Sequence, residues 1–164
     1  MGESSFNDLW VLDCTVPGNE SWQRMDYSKD GDLPPEPIRS YHQMIAMSYE
    51  HCLYIFGGCG ADGRYGLQIY IDLNIATCTW TTLSPVSSLA GRGGSTMLAF
   101  EQQRKIAIIA GFVGHETNDG QVFNIHTNTW DTDHVITFPN MQPRSVCSFV
   151  SGVTRSRRRR RRTF

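Results

Sequence analysis

The 164-residue sequence predicts an all-β fold: a fragment of a β-propeller with two complete four-stranded blades and two partial ones. Three observations predict it. A segment built around an arginine recurs at Arg39, Arg92 and Arg144, spaced 53 and 52 residues apart. An apolar run ends 18 residues after each of the first two arginines, at Gly57 and at Ala110. Each unit then closes on a Thr-Trp pair, Thr79-Trp80 and Thr129-Trp130, which lie 50 residues apart. A period near 50 residues holding four short strands is the length of one propeller blade. Val, Ile, Tyr, Phe and Trp fill the runs, and Gly, Pro, Asn and Asp separate them. No stretch carries a sustained helical period.

Taken in order, residues 6–34 supply the third and fourth strands of a partial blade, with Trp22 at its close. Residues 35–83 form a full blade. Its second strand ends on Gly57-Gly58, where a Cβ would block a positive φ or a close approach of chains. Residues 84–138 form the next blade, with a third strand at 121–125 and Trp130 packing between neighbouring sheets. Residues 139–151 give the first strand of a further blade. Residues 152–164 read as a disordered, arginine-rich tail, because a run of like charges cannot bury enough apolar area to order itself. The shift that superposes Arg39 on Arg144 puts six arginines, Arg157 to Arg162, where the second strand should be apolar. That substitution suggests an altered C-terminus and a ring that one chain leaves open. The functional alternative is a basic nuclear-localisation or RNA-binding tail.

Charge and composition narrow the function. Seven of the 15 Lys and Arg residues lie in 155–162, which leaves eight basic against 16 acidic residues before them, a net of −8. An acidic body argues against nucleic acid as a partner. No apolar run reaches the length of about 20 residues that spans a bilayer. The N-terminal segment lacks the basic and apolar regions of a secretory signal, and Glu3 and Phe6 do not fit a myristoylation site. Five cysteines without a close pair point to a reducing compartment, and hence to the cytoplasm, or to the nucleus if the tail is a localisation signal.

Several motifs are set aside on their context. Residues 58–63 spell GxGxxG, but strand-like sequence follows where a dinucleotide fold needs a helix. Gly91-Arg92-Gly93-Gly94 lacks the Lys-Ser/Thr of a phosphate loop. The five histidines and five cysteines show no zinc spacing, and no nucleophile motif is present.

The chain resembles the kelch family through Tyr54-Ile55-Phe56-Gly57-Gly58, the spaced Tyr70 and the closing Trp80, with a weaker copy in the next unit. A narrower resemblance is to the nitrile-specifier and thiocyanate-forming (epithiospecifier-like) kelch proteins of plants and their fungal relatives. It rests on the order of 37–42, 91–94, 110–112 and 143–146. The broader resemblance implies a binding module whose loop face takes a protein partner, without a cofactor. The narrower one implies action on a glucosinolate aglycone with iron(II).

Candidate site residues follow. Arg39, Arg92 and Arg144 each stand at the start of a first strand, so propeller geometry gathers them at one mouth of the channel. Guanidiniums there would hold a small anion, such as a sulfate, phosphate or carboxylate, bidentately. The flanking glycines make Arg92 the most accessible of the three. The competing reading is that each arginine bonds carbonyls of an adjacent blade's loop. The specifier resemblance implies a Glu-xxx-Asp-xxx-His iron motif, from which this sequence departs; His115, Glu116 and Asp119 are the nearest hard ligands. The plainer reading of that segment is a solvated loop with Asn118-Asp119-Gly120 as its turn.

Overall fold

The computed structural model describes residues 8–25, 38–61, 63–64, 70–74, 79–83, 89–133 and 135–150, with the backbone alone at 64, 70–74, 79–83 and 101. The arginine run and its neighbours lie outside the described residues, as does any statement about order there. The described residues are all-β apart from two single 3-10 turns, as a propeller fragment requires. No helix among them is long and apolar enough to cross a membrane.

Strands β1 (Trp10–Asp13) and β2 (Ser21–Arg24) form an antiparallel pair with Leu12 opposite Trp22. Every residue of both strands is exposed, Trp22 to 65%. Among the described residues Trp22 therefore packs between no sheets, unlike Trp130.

The second unit begins with β3 (Gln43–Met47) and β4 (Cys52–Phe56), joined by a 3-10 turn at Ser48–Glu50. His51 ends that turn at φ 53, the left-handed conformation that closes so short a connection. A minimal hairpin of β5 (Cys59–Gly60) and β6 (Gly63–Arg64) follows, so the GxGxxG segment is a turn between strands. Then come β7 (Tyr70–Asn74) and β8 (Thr79–Leu83), giving one antiparallel sheet in the order β3-β4-β7-β8.

The third unit repeats the plan with β9 (Thr96–Phe100), a 3-10 turn at Glu101–Gln103, and Arg104 at φ 51. It continues through β10 (Lys105–Phe112), β11 (Glu116–Asn124), β12 (Thr129–Trp130) and β13 (Ile136–Thr137). Both β12 and β13 pair with β11, so the fourth strand is split in two. A bulge interrupts the β10–β11 register between Ile109 and Gly111.

Burial explains the sequence of β10. Ile106 and Ile108 turn one way, into a core shared with Met47, Tyr54 and Phe56 of the preceding blade. Ala107 and Ile109 turn the other way and are covered by Ile136, Phe138, Met141, Cys147 and Phe149. A strand sandwiched on both faces reads as a continuous apolar run, as 106–110 does. Trp130 sits edge-on to Phe56 at 6.4 Å and to Phe123 at 5.5 Å, and so wedges between the two blades.

The segment 139–150 departs from expectation. Its inward residues pack on the third blade, yet it joins no ladder; Arg144 makes an isolated bridge with Thr117. A first strand needs its second strand for hydrogen bonds, and the sequence puts arginines in that strand's place.

Candidate functional site

Strand direction assigns the loops to two faces. β3 runs from the Arg39 end to the His51 end, and antiparallel β4 returns, so Gly57 and Gly58 come back beside Arg39. The same holds for β9 and β10, which bring Ala110 and Gly111 beside Arg92. The tight 3-10 turns occupy the opposite face. The long connections, including the β5–β6 hairpin, all open on the arginine face, here called the mouth.

The backbone at the mouth is bonded in register from repeat to repeat. Ser40 and Cys59 exchange hydrogen bonds of 2.8 and 2.7 Å, and Gly93 and Phe112 do the same at 3.2 and 2.9 Å. Between blades, Gly58 N–H donates to the Arg92 carbonyl at 3.0 Å, and Gly111 N–H to the Arg144 carbonyl at 2.9 Å. Gly94 N–H donates to the Tyr41 carbonyl, and Val146 N–H to the Gly94 carbonyl, at 2.9 and 2.8 Å. Tyr41, Gly94 and Val146 occupy the same place in their repeats, and all three are left-handed, at φ 58, 62 and 49.

Between these loops lies a cavity of about 320 Å³ with Tyr41, Cys59, Phe112, Ser145 and Val146 as its walls and Gly93 and Gly94 at its base. A second cavity of about 380 Å³ shares Tyr41 and Val146 and continues along the first strands past Thr96, Met97 and Phe149. The groove is chiefly apolar at the mouth.

The three arginines diverge. Arg92 is 1% exposed, which overturns the expectation that its guanidinium is accessible. It folds back into its own blade. Nε donates to the Ala90 carbonyl, and Nη1 donates to the Ala110 carbonyl, to Thr117 Oγ1 and to Asp119 Oδ1. Gly111 is what admits it, because a Cβ there would lie 3.1 Å from Arg92 Cδ. Arg39 repeats one of these contacts: its Nη1 donates to the Gly57 carbonyl at 3.0 Å, the counterpart of Arg92 to Ala110. Arg144 is exposed, with Nε donating to the Gln142 carbonyl. The mouth therefore gathers the three arginine backbones but not the three guanidiniums. Partial desolvation, and then the charge of nearby Arg39, hold the His42 imidazole below its usual 6.5.

The segment expected to be a loop with an Asn118-Asp119-Gly120 turn is instead the first half of β11. Burial pushes the Asp119 carboxyl up, but the hydrogen bond and charge of Arg92, aided by Thr117, outweigh it and leave the pKa below 3.8. Glu116 accepts a hydrogen bond from Ser145 Oγ at 2.9 Å. His115 lies in the turn before β11. Among the described residues no three His, Cys, Asp or Glu side chains come together as a metal would need. Sequence reasoning missed the parts played by Thr117 and Ser145. It also missed the Arg104–Glu50 pair at 2.6 Å, which ties the turn faces of the two blades.

Comparison with protein families decides the larger identity. Residues 1–155 match the model of the KLHDC2/KLHL20/DRC7 Kelch-repeats domain. The chain belongs to the kelch-repeat family. No curated protein matches it. Kelch repeats build β-propeller modules that bind proteins, and the paired sheets and recurring mouth loops of this chain are kelch blades in that sense. The kelch match carries nothing toward the narrower nitrile-specifier resemblance.

Proposed function

We propose that this kelch chain is a protein-interaction module that docks its partner at the mouth. The observation that carries the reading is the asymmetry between the two faces. Among the described residues of the two complete blades, one face holds only tight turns. The other gathers the long connections of both complete blades around an apolar groove, with Tyr41 64% and Val146 74% exposed beside it. Loops of this kind, held by a rigid sheet scaffold, are where binding residues concentrate. A side chain as large as tyrosine left in water at a concave site is an anchor for a partner.

Two exposed tyrosines on opposite faces provide the test. Tyr41 stands at the mouth, and Tyr49, 79% exposed, stands in the turn on the other face. A benzophenone amino acid placed at either position in the expressed chain should cross-link a discrete protein from position 41 and little from position 49. Equal cross-linking from both, or none from 41, would overturn the proposal.

A further inference from the structure

The contact between the second and third blades recurs, half built, on the far side of the third. At the first contact, Tyr54 and Phe56 of the second blade share a core with Leu89 and Met97, at the start of the third, and with Phe123 and Trp130 of its last two strands. At the second contact, Ala107 and Ile109 stand 53 residues after Tyr54 and Phe56, and Met141 and Phe149 stand 52 residues after Leu89 and Met97. No described residue takes the place of the Phe123–Trp130 pair there. The cover comes from the segment 136–149 alone, with Phe138 stacked on Phe149 at 5.8 Å. A matching pair stands at the other end of the chain. Leu12 lies opposite Trp22 between β1 and β2, as Phe123 lies opposite Trp130 between β11 and β12. Residues directly opposite share a face, as do alternate residues of one strand, so Trp10, Leu12 and Trp22 form one apolar face. Phe123 and Trp130 are buried, whereas Trp10, Leu12 and Trp22 are 49, 41 and 65% exposed. Two tryptophans and a leucine side by side in water mark an interaction surface.

We propose that this surface takes a second copy of the chain, head to tail. The β1–β2 hairpin of one copy lies on the third blade of the other, beside its 136–149 segment. Leu12 and Trp22 take the places that Phe123 and Trp130 hold at the first contact. The junction composes one blade from two chains: 139–150 supplies its first-strand residues, and β1–β2 supply its third and fourth strands. Each copy carries both halves of the contact, so the contact repeats until a ring closes. Two complete blades and one composite blade from each copy give a ring of six from two copies. Propellers close with about four to eight blades, so one copy holds too few and three copies too many. The junction lies on blade faces and leaves the loops of the mouth free, so it stands apart from the partner docked there.

The test uses the full chain. Sedimentation velocity should show a species of about twice the 18.5 kDa of one chain, dissociating on dilution. Trp22→Glu and Leu12→Lys change residues that are exposed in a single chain, so each copy keeps its own fold. Each variant should weaken the association by at least about tenfold, because it puts a charge into an apolar contact. Tyr49→Glu makes the same kind of change at an aromatic residue 79% exposed on the turn face, and should leave the association unchanged. A benzophenone amino acid at position 22, in a mixture of isotope-labelled and unlabelled chains, should join one kind of chain to the other. The peptide reached should fall in β10 or in 136–149.

A chain that sediments as a monomer throughout, assemblies that grow past two copies, or equal weakening by Trp22→Glu and Tyr49→Glu would overturn the inference. So would a cross-link from position 22 to position 22 of the other copy, which marks two hairpins face to face in place of head to tail. Cross-linking of a partner from position 41 reads the mouth alone, so the junction and the docking face stand or fall separately.

Discussion

Arg92 and Asp119 form a two-pronged pair, with Nη1–Oδ1 at 2.7 Å and Nη2–Oδ2 at 3.4 Å, between the loop that enters β9 and the middle of β11. The pair spans the width of a blade, because β10 lies between those two strands. The guanidinium is buried, while the Asp119 side chain keeps 39% of its exposure. The arginine is thus a cross-brace, reaching under Gly111 to a carboxylate at the solvent boundary. Its carbonyl meanwhile holds Gly58 of the neighbouring blade. Side chain and main chain of one residue tie the third blade to itself and to the second.

Replacing this brace should lower stability. Arg92→Ala removes five donors and leaves the Ala90 and Ala110 carbonyls and the Asp119 carboxylate without their partner. The expected loss is about 2–4 kcal/mol, below the upper range for a fully buried pair because Asp119 reaches water. Arg92→Lys keeps the charge but not the planar fork, so it should recover less than half of the loss. Urea denaturation of the three proteins measures both quantities. A midpoint for Arg92→Ala within about 0.5 kcal/mol of the parent would remove the brace from the account.

The same pair predicts a pH dependence. The Asp119 carboxyl titrates below its ordinary 3.8 in the folded chain. A depressed acid stabilises the fold while it is ionised. Its contribution is therefore complete well above pH 3.8 and is lost as the pH falls through 3.8 and then through the lower folded value. Asp119→Asn cannot titrate. Between about pH 6 and about pH 3 its melting temperature should fall less than that of the parent. Parallel curves for the two proteins would show that the carboxylate contributes nothing to acid unfolding.

Much of the fold was legible because the repeat leaves a mark on every blade. The arginine, the apolar run, the Gly57-Gly58 pair and the closing Thr-Trp recur at one period, and each has a packing reason that also recurs. The direction of the Arg92 side chain was not legible, because its acid belongs to one repeat alone. Moving Asp119 back by the 50-residue offset of the third strands, which puts Asn124 on Asn74, lands on Ile69. Comparing repeats cannot reveal a partner that only one of them possesses. The misreading of Asn118-Asp119-Gly120 has a similar origin. All three are turn formers locally, but each is committed to a distant contact. Asn118 Nδ2 donates to the Phe138 and Met141 carbonyls, and Asp119 holds Arg92. Gly120 leaves room for the Ile108 carbonyl oxygen, which a Cβ would approach to 2.5 Å. Tertiary packing overrode local preference at three successive residues.

Gly58 offers a test of the repeat itself. It sits at φ 105, and its counterpart Gly111 at φ 117, each one residue past a left-handed position. At Gly58 a Cβ would meet the Ser40 carbonyl oxygen at 2.9 Å, with the Arg39 and His42 Cβ atoms at 3.2 Å. That oxygen already accepts from Cys59 N–H at 2.7 Å, so it cannot retreat without loosening the bridge that closes the mouth. Gly58→Ala therefore carries two costs, a disfavoured φ and a backbone clash, which together come to about 2–4 kcal/mol. The damage should be local at first. Amide exchange should quicken at Cys59 and at Gly94, whose N–H bonds the Tyr41 carbonyl, before it quickens in the sheet cores. Tyr54, Phe56 and Ile106 should keep slow exchange until the chain unfolds as a whole. A Gly58→Ala protein with unchanged stability and unchanged exchange at Cys59 would show that the mouth tolerates a side chain there, and that the glycine pair does not hold the loops in place.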